Sequence, residues 1–207
     1  MNAKTHWNTV YRNENRKSWF RPHLETSLRW ITALAPSLEA AILDAGGGES
    51  TLVDDLLGRG YRRLTVLDLS EQALERARRR LGDSAGTVDW RNGDITGATL
   101  PAAHYHVWHD RAAFHFLLQP ESQAAYVRQA RHVLAPGGHL IMAVFGPDGP
   151  HRCSGLPVCR YHIAGLQAVL GTDFQCQSHH LETHQTPEGH SQQFLYAHFQ
   201  YHPTPAG

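Results

Sequence analysis

Long apolar runs are what this 207-residue chain most plainly lacks. None approaches the roughly 20 residues that a membrane-spanning helix needs. Residues 1–11 are polar and hold no apolar core of a secretory leader. An excess of one charge is missing as well, since 19 Lys and Arg balance 19 Asp and Glu. A neutral chain gives no electrostatic reason to bind nucleic acid or an anionic membrane. Cysteine is scarce: Cys153, Cys159 and Cys176 all lie in the last third. An odd count without a leader argues against a disulfide framework. Repeats, linkers and low-complexity segments are absent too. These absences lead us to expect a cytoplasmic protein, monomer or homodimer, with neither nucleic acid nor membrane as partner.

What is present describes one globular domain over residues 1–207. Hydrophobic residues make up 41% and charged residues 18%, and the length suits a single core. Histidine is unusually frequent at 16, mostly beyond residue 100. In the first 36 residues aromatics mix with polar residues, then Leu24, Leu28, Ile31 and Leu34 fall at helical spacing until Pro36. Next, an apolar run at 41–43 leads into a glycine turn and a helix with Leu52, Val53, Leu56 and Leu57, where Ser50 is a candidate cap. "LTVLDLS" reads as a second buried strand. "SEQALERARRRL" reads as a helix capped by Ser70, with Ala73, Leu74, Ala77 and Leu81 inward.

The alternation continues. "GTVDWRNGDIT" holds a third strand, "YHVWHD" a fourth, and "SQAAYVRQARHVLAPGG" a helix ending in Pro-Gly-Gly. "HLIMAVF" is a fifth strand. A long irregular stretch precedes a helix over 163–170, and two more strands follow near 174–181 and 193–200. Strands alternating with helices imply a doubly wound α/β sheet, largely parallel, with helices on both faces.

The most informative local pattern is Asp44-Ala45-Gly46-Gly47-Gly48, after a strand and before a helix. Glycines let the backbone turn sharply and approach a ligand, and the helix amides then face it. A tight turn alone would use the same residues, and dinucleotide enzymes share them. Asp68 ends the second strand, where a carboxylate takes the hydroxyls of a ribose. Asp94 follows the third strand, where an adenine amino group would lie. Together they describe one nucleoside site.

These residues resemble the class I S-adenosylmethionine-dependent methyltransferases, across nearly the whole chain from Trp7 onward. "ILDAGGGES" is similar to the family's first motif, "VLDLS" to its acidic-loop motif, "NGDIT" to its adenine motif and "VLAPGGHLIM" to its helix-to-fifth-strand signature. Ser50 stands where many members have a further glycine. The resemblance implies S-adenosylmethionine as cofactor and a Rossmann-like sheet of seven strands whose last strand runs antiparallel. It places Asp44, Gly46, Gly47 and Gly48 near the cofactor's methionine part, Asp68 with Leu69 on the ribose, and Asp94 with Ile95 on the adenine.

Methyl transfer from a sulfonium is an in-line displacement, so the protein has chiefly to align the acceptor and exclude water. The acceptor belongs beyond the carboxyl ends of the strands, where the fourth strand delivers His109, Asp110 and Arg111. His109 is a candidate base or hydrogen-bond partner, Asp110 its orienter or a site for a cation, and Arg111 a carboxylate clamp. The plain alternative is a structural turn at Asp110 and Arg111 with His109 satisfied by backbone. The loop at 146–162 is long enough to cover an acceptor pocket, with Cys153, Arg160 and Tyr161 as candidates and Trp19 closing from a lid at 1–36. Five residues separate Cys153 from Cys159, more than tight zinc pairs use, so no metal is expected. The first expectation is methylation of a small-molecule acceptor, a thiol, selenol or other soft nucleophile. A protein side-chain methyltransferase is the second. A nicotinamide-dependent oxidoreductase is the third, though it leaves "VLAPGG" and the terminal strand pair unexplained.

Overall fold

A computed structural model describes residues 2–13 and 17–204. Seven strands form one sheet: β1 (Ile42–Ala45), β2 (Leu64–Asp68), β3 (Asp89–Asn92), β4 (Tyr105–Arg111), β5 (Leu134–Phe145), β8 (Phe174–Gln185) and β9 (Ser191–Tyr201). Their order is β3-β2-β1-β4-β5-β9-β8. The neighbours β3-β2, β2-β1, β1-β4 and β4-β5 pair parallel. The last strand, β9, runs antiparallel to both β5 and β8. This is the doubly wound sheet with an antiparallel final strand expected above. Among the described residues no helix is long and apolar enough to cross a membrane.

The central strands are buried along their length: β1 and β2 expose no residue, as strands covered on both faces require. One layer, with α5 (Pro120–Val133) and α6 (Ile163–Leu170), packs Trp108, Phe114, Tyr126 and Leu140. The opposite layer, with α2 (Glu25–Leu34) and α3 (Leu52–Gly58), packs Leu28, Ile31, Leu52 and Ile42. Ser70 caps α4 (Glu71–Leu81) by accepting from Ala73 N, as its position in the sequence implies.

Four local readings change. Trp7 and Tyr11 sit on a helix, α1 (Ala3–Arg12), whose start is fixed by Asn2 accepting from Thr5 N, while Trp19 and Phe20 lie between helices. Pro136-Gly137-Gly138 does not close α5; that helix ends at Val133 and the segment runs into β5 with a register irregularity against β4. The irregular stretch at 146–162 contains a small hairpin, β6 (Arg152–Cys153) and β7 (Leu156–Pro157), turned by Ser154 and Gly155, both at positive φ. The two closing strands are 12 and 11 residues long, beyond the expected bounds, because their antiparallel pairing runs on from Phe174 to Gln185.

Candidate active site

Strand order reverses between β1 and β4, and a crevice opens at their carboxyl ends. The turn after β1 forms its floor. Gly46 N donates to Leu67 O at 2.7 Å with φ at +71°, and a Cβ there would lie 2.4 Å from Ala113 Cβ. Gly48, at φ +54°, has no room either: a Cβ would stand 2.7 Å from the Tyr11 hydroxyl. Two chain segments thus approach the turn at distances that only glycine permits. Ser50 Oγ accepts from Leu52 N, so it holds the first turn of α3 although Thr51 is the residue before the helix.

Above this floor lies a cavity of about 430 Å³. One end, the one expected to take the nucleoside, is walled by Asp68, Leu69, Asp94 and Ile95, and by Gly93, which the sequence reading did not name. Asp68 Oδ1 accepts from Ser70 N at 2.7 Å. Burial pushes its carboxyl up to about 7, against the pull of the Ser70 and Gly48 amides. Asp94 Oδ1 is held by the Thr96 amide and hydroxyl. A smaller recess of about 40 Å³ adjoins the cavity, lined by Arg21, Asp44, Glu49, His109 and Arg111 among others. Gly47 lines the recess and not the cavity.

Three consecutive residues of β4 meet different fates, because successive side chains of a strand point to opposite faces. His109 is buried, its Nδ1 2.7 Å from Asp44 Oδ1 and its Nε2 2.8 Å from Ser27 Oγ. Both ring nitrogens are thus occupied by side chains, and the backbone plays no part. Asp110, expected to orient His109, does not: it points to the other face and accepts from Ala113 N, Phe114 N and the Tyr126 hydroxyl. Burial lifts its carboxyl to about 6. It lines neither space and fixes the turn after β4, while Asp44 takes the orienting position. Arg111 alone of the three lines both cavity and recess. Its Nη1 donates to Trp19 O at 3.0 Å and its guanidinium carbon lies 4.8 Å from the Phe194 ring centre.

The outer end of the cavity divides the remaining candidates. Trp19 and Cys153 line it, and burial raises the Cys153 thiol to about 11, so it stays protonated. Arg160 and Tyr161 do not line it. Arg160 is exposed and donates to Gly149 O within its own loop. The Tyr161 hydroxyl turns inward to Gln123, in the core beside α5. The sequence reading missed Phe116, Leu156 and Pro157, which line this end, and Ser27, which holds His109. Trp7 and Tyr11, noted only as part of a lid, also line the cavity. Their four-residue spacing was the available signal for a helix face.

Helix α1 is fastened over the nucleoside end. Asn8 Oδ1 accepts from the Ser70 hydroxyl at 2.9 Å, and Lys4 Nζ donates to Asn92 Oδ1 at 2.9 Å. Trp7 packs edge-on against Phe116 and Trp19, at 4.9 and 6.0 Å between ring centres. Among the described residues no group of three or more His, Cys, Asp or Glu is arranged to hold a metal ion.

A turn too tight for side chains, a buried carboxylate at the end of β2 and an antiparallel last strand are the features on which the sequence resemblance to methyltransferases rests. Comparison with known proteins agrees. Residues 42–138 match the family model "Methyltransferase domain". A zebrafish (Danio rerio) protein named EEF1A lysine methyltransferase 2 is 26% identical over 69% of this chain and 68% of its own length. The ubiquinone biosynthesis O-methyltransferase of Thiobacillus denitrificans is 30% identical over 61% of this chain and 54% of its own. Among solved structures, the 1,6-didemethyltoxoflavin-N1-methyltransferase of Burkholderia thailandensis, with bound 1,6-didemethyltoxoflavin and S-adenosylhomocysteine, superposes with a TM-score of 0.76. It is 19% identical, over 97% of this chain and 87% of that one. These likenesses identify a methyltransferase domain over residues 42–138 and support S-adenosylmethionine as its cofactor. The oxidoreductase expectation is set aside, since the family is one of methyltransferases.

The site fits that cofactor. Asp44 Oδ2 is buried without a hydrogen-bond partner among the described residues, beside a recess that carries both signs of charge, as an amino-acid group requires. Asp68 and the glycine turn stand where a ribose and its chain would pass.

Proposed function

We propose that the enzyme methylates a small-molecule acceptor through a soft nucleophile such as a thiol or selenol. One observation carries the reading: among the described residues no carboxylate or imidazole lines the outer end of the cavity, and its two carboxylates, Asp68 and Asp94, are taken up by the nucleoside in this reading. His109 is buried and bonded at both nitrogens. His115 lies behind the wall, driven down to about 3 by burial, and has no room to charge. Cys153 keeps its proton. Such a site suits an acceptor that brings its own lone pair. When bound, S-adenosylmethionine would supply a sulfonium-activated methyl, suited to a thiolate or selenolate that has already lost its proton to water before it enters the site. The protein's share is alignment and exclusion of water.

In this reading Asp68 and Asp94 hold the nucleoside, with Leu69 and Ile95 against it. Asp44, positioned by His109 and Ser27, faces the cofactor's ammonium. Residues 1–36 act as lid and residues 146–162 as acceptor-side cover within one domain, Trp19 and Cys153 bordering the acceptor. The aromatic roof and enclosed volume suit a small molecule. The free cysteines and neutral charge fit work in the cytoplasm, as monomer or homodimer, without nucleic acid or membrane.

The likeness to a protein named as a lysine methyltransferase favours a second reading, transfer to a protein side chain. Purified enzyme with methyl-labelled S-adenosylmethionine tests both. A panel of thiols, selenols, amines and phenols is screened for S-adenosylhomocysteine release, beside protein from cell extract. Turnover on soft small molecules supports the first reading; label confined to protein replaces it with the second.

A further inference from the structure

Resting on the methyltransferase reading, we propose that Arg111 anchors a carboxylate of the acceptor. The substrate class is then a small apolar molecule carrying both a soft nucleophile and a carboxylate group. Arg111 is the one cationic side chain lining the large cavity among the described residues. Its head is fixed on two sides, by the bond to Trp19 O and by stacking on Phe194. Its Nε is buried and has no partner among the described residues. A guanidinium held with one edge free is a fork that a carboxylate fills and an ammonium cannot.

The cavity's own carboxylates cannot be the intended partner. Asp68 and Asp94 stand at the nucleoside end, engaged by Ser70 and Thr96. Arg21 lines the recess and not the cavity, with its Nη1 paired to Glu182 and its Nε donating to His184. The cofactor's carboxylate and the acceptor's are therefore the two candidates for Arg111, which the test below separates. The other side chains at the outer end of the cavity are apolar, Trp7, Trp19, Phe116, Leu156 and Pro157 among them. An apolar acceptor body matches them, and an anion on that body would be costly to bury away from a cation. Apolar walls with a single free cation therefore select for an apolar acid and against an amine of the same shape.

The test uses the full chain saturated with S-adenosylhomocysteine, whose own affinity is measured by calorimetry. Three probes of similar shape are titrated by quenching of tryptophan fluorescence: 2-mercaptobenzoate, thiophenol and 2-mercaptobenzylamine, whose benzylic amine is protonated at neutral pH. The wild type should bind the acid at least tenfold tighter than thiophenol, and the amine no tighter than thiophenol. In R111Q that preference should fall to within twofold while S-adenosylhomocysteine affinity holds. R111K, which keeps the charge but loses the Nε edge, should retain a reduced preference; it also serves if R111Q does not fold. Equal binding of the three probes, or binding of none, overturns the proposal. So does an R111Q protein that keeps the acid preference and loses S-adenosylhomocysteine affinity, because Arg111 then serves the cofactor's carboxylate. A wild type that does not bind S-adenosylhomocysteine refutes the underlying reading instead.

Discussion

Replacing Asp68 by Asn should make the protein more stable above neutral pH and a poorer binder of its cofactor. Burial moves this carboxyl from 3.8 to about 7. In the folded state it therefore holds a proton between about pH 4 and pH 7, where the unfolded chain has lost it. Stability from this group is full below pH 4 and lost as pH rises through 7. Each tenfold change in an ionisation constant is worth about 1.4 kcal/mol, so the ionised group burdens the cofactor-free fold by about 4 kcal/mol at pH 8. Asn carries no charge and keeps the bond from Ser70 N, but it presents an amide where Asp68 accepts from Gly48 N, a loss of about 1 kcal/mol. The net gain is about 2–3 kcal/mol, or roughly 4–12 °C for a domain of this size. Thermal melts of both proteins at pH 4.5 and pH 8 check it: the gain should appear at pH 8 and vanish at pH 4.5. Calorimetry should show S-adenosylhomocysteine bound about 10- to 100-fold more weakly, the worth of a hydrogen bond to a charged group. Wild-type affinity should itself strengthen from pH 6 to pH 8, because ribose hydroxyls donate to the ionised carboxylate. Equal melting temperatures at pH 8 together with unchanged affinity would refute the reasoning.

Three further outcomes follow from the same geometry. Gly46→Ala puts a Cβ 2.4 Å from Ala113 Cβ at positive φ and should cost about 2–4 kcal/mol. Urea unfolding measures the loss, and S-adenosylhomocysteine binding should fall with it. Asp110→Ala strands two buried amides and the Tyr126 hydroxyl and should destabilise by about 2–4 kcal/mol. The protein that still folds should bind S-adenosylhomocysteine normally, and a pure loss of turnover at full stability would show a catalytic role instead. Ser27→Ala leaves His109 Nε2 without its partner and should cost about 1–3 kcal/mol, read as a lower urea midpoint with an unchanged slope.

The sequence by itself determined the fold class and four of the residues that line the inner end of the cavity. Alternating apolar segments of strand and helix length leave few arrangements besides a doubly wound sheet. Asp68, Leu69, Asp94 and Ile95 were legible because each lies at the carboxyl end of a strand or within three residues of it, so position along the chain nearly equals position in space. Gly46 and Gly48 were legible because their close contacts exclude every other residue type.

Only the tertiary structure decided the rest, since its contacts join residues far apart in the chain. Asp110 and His109 are neighbours in sequence yet face opposite layers, so the residue that holds His109 is Asp44, 65 positions away, with Ser27 82 positions away on its other side. Arg160 and Tyr161 share a loop with Cys153, but one turns to solvent and the other to the core. The outer end of the cavity is assembled from α1, the turn after β4 and the hairpin at 152–157, three segments whose meeting depends on packing across the sheet. Local pattern carries no record of that packing, because a side chain's neighbours are set by the layer it faces and not by its place in the chain.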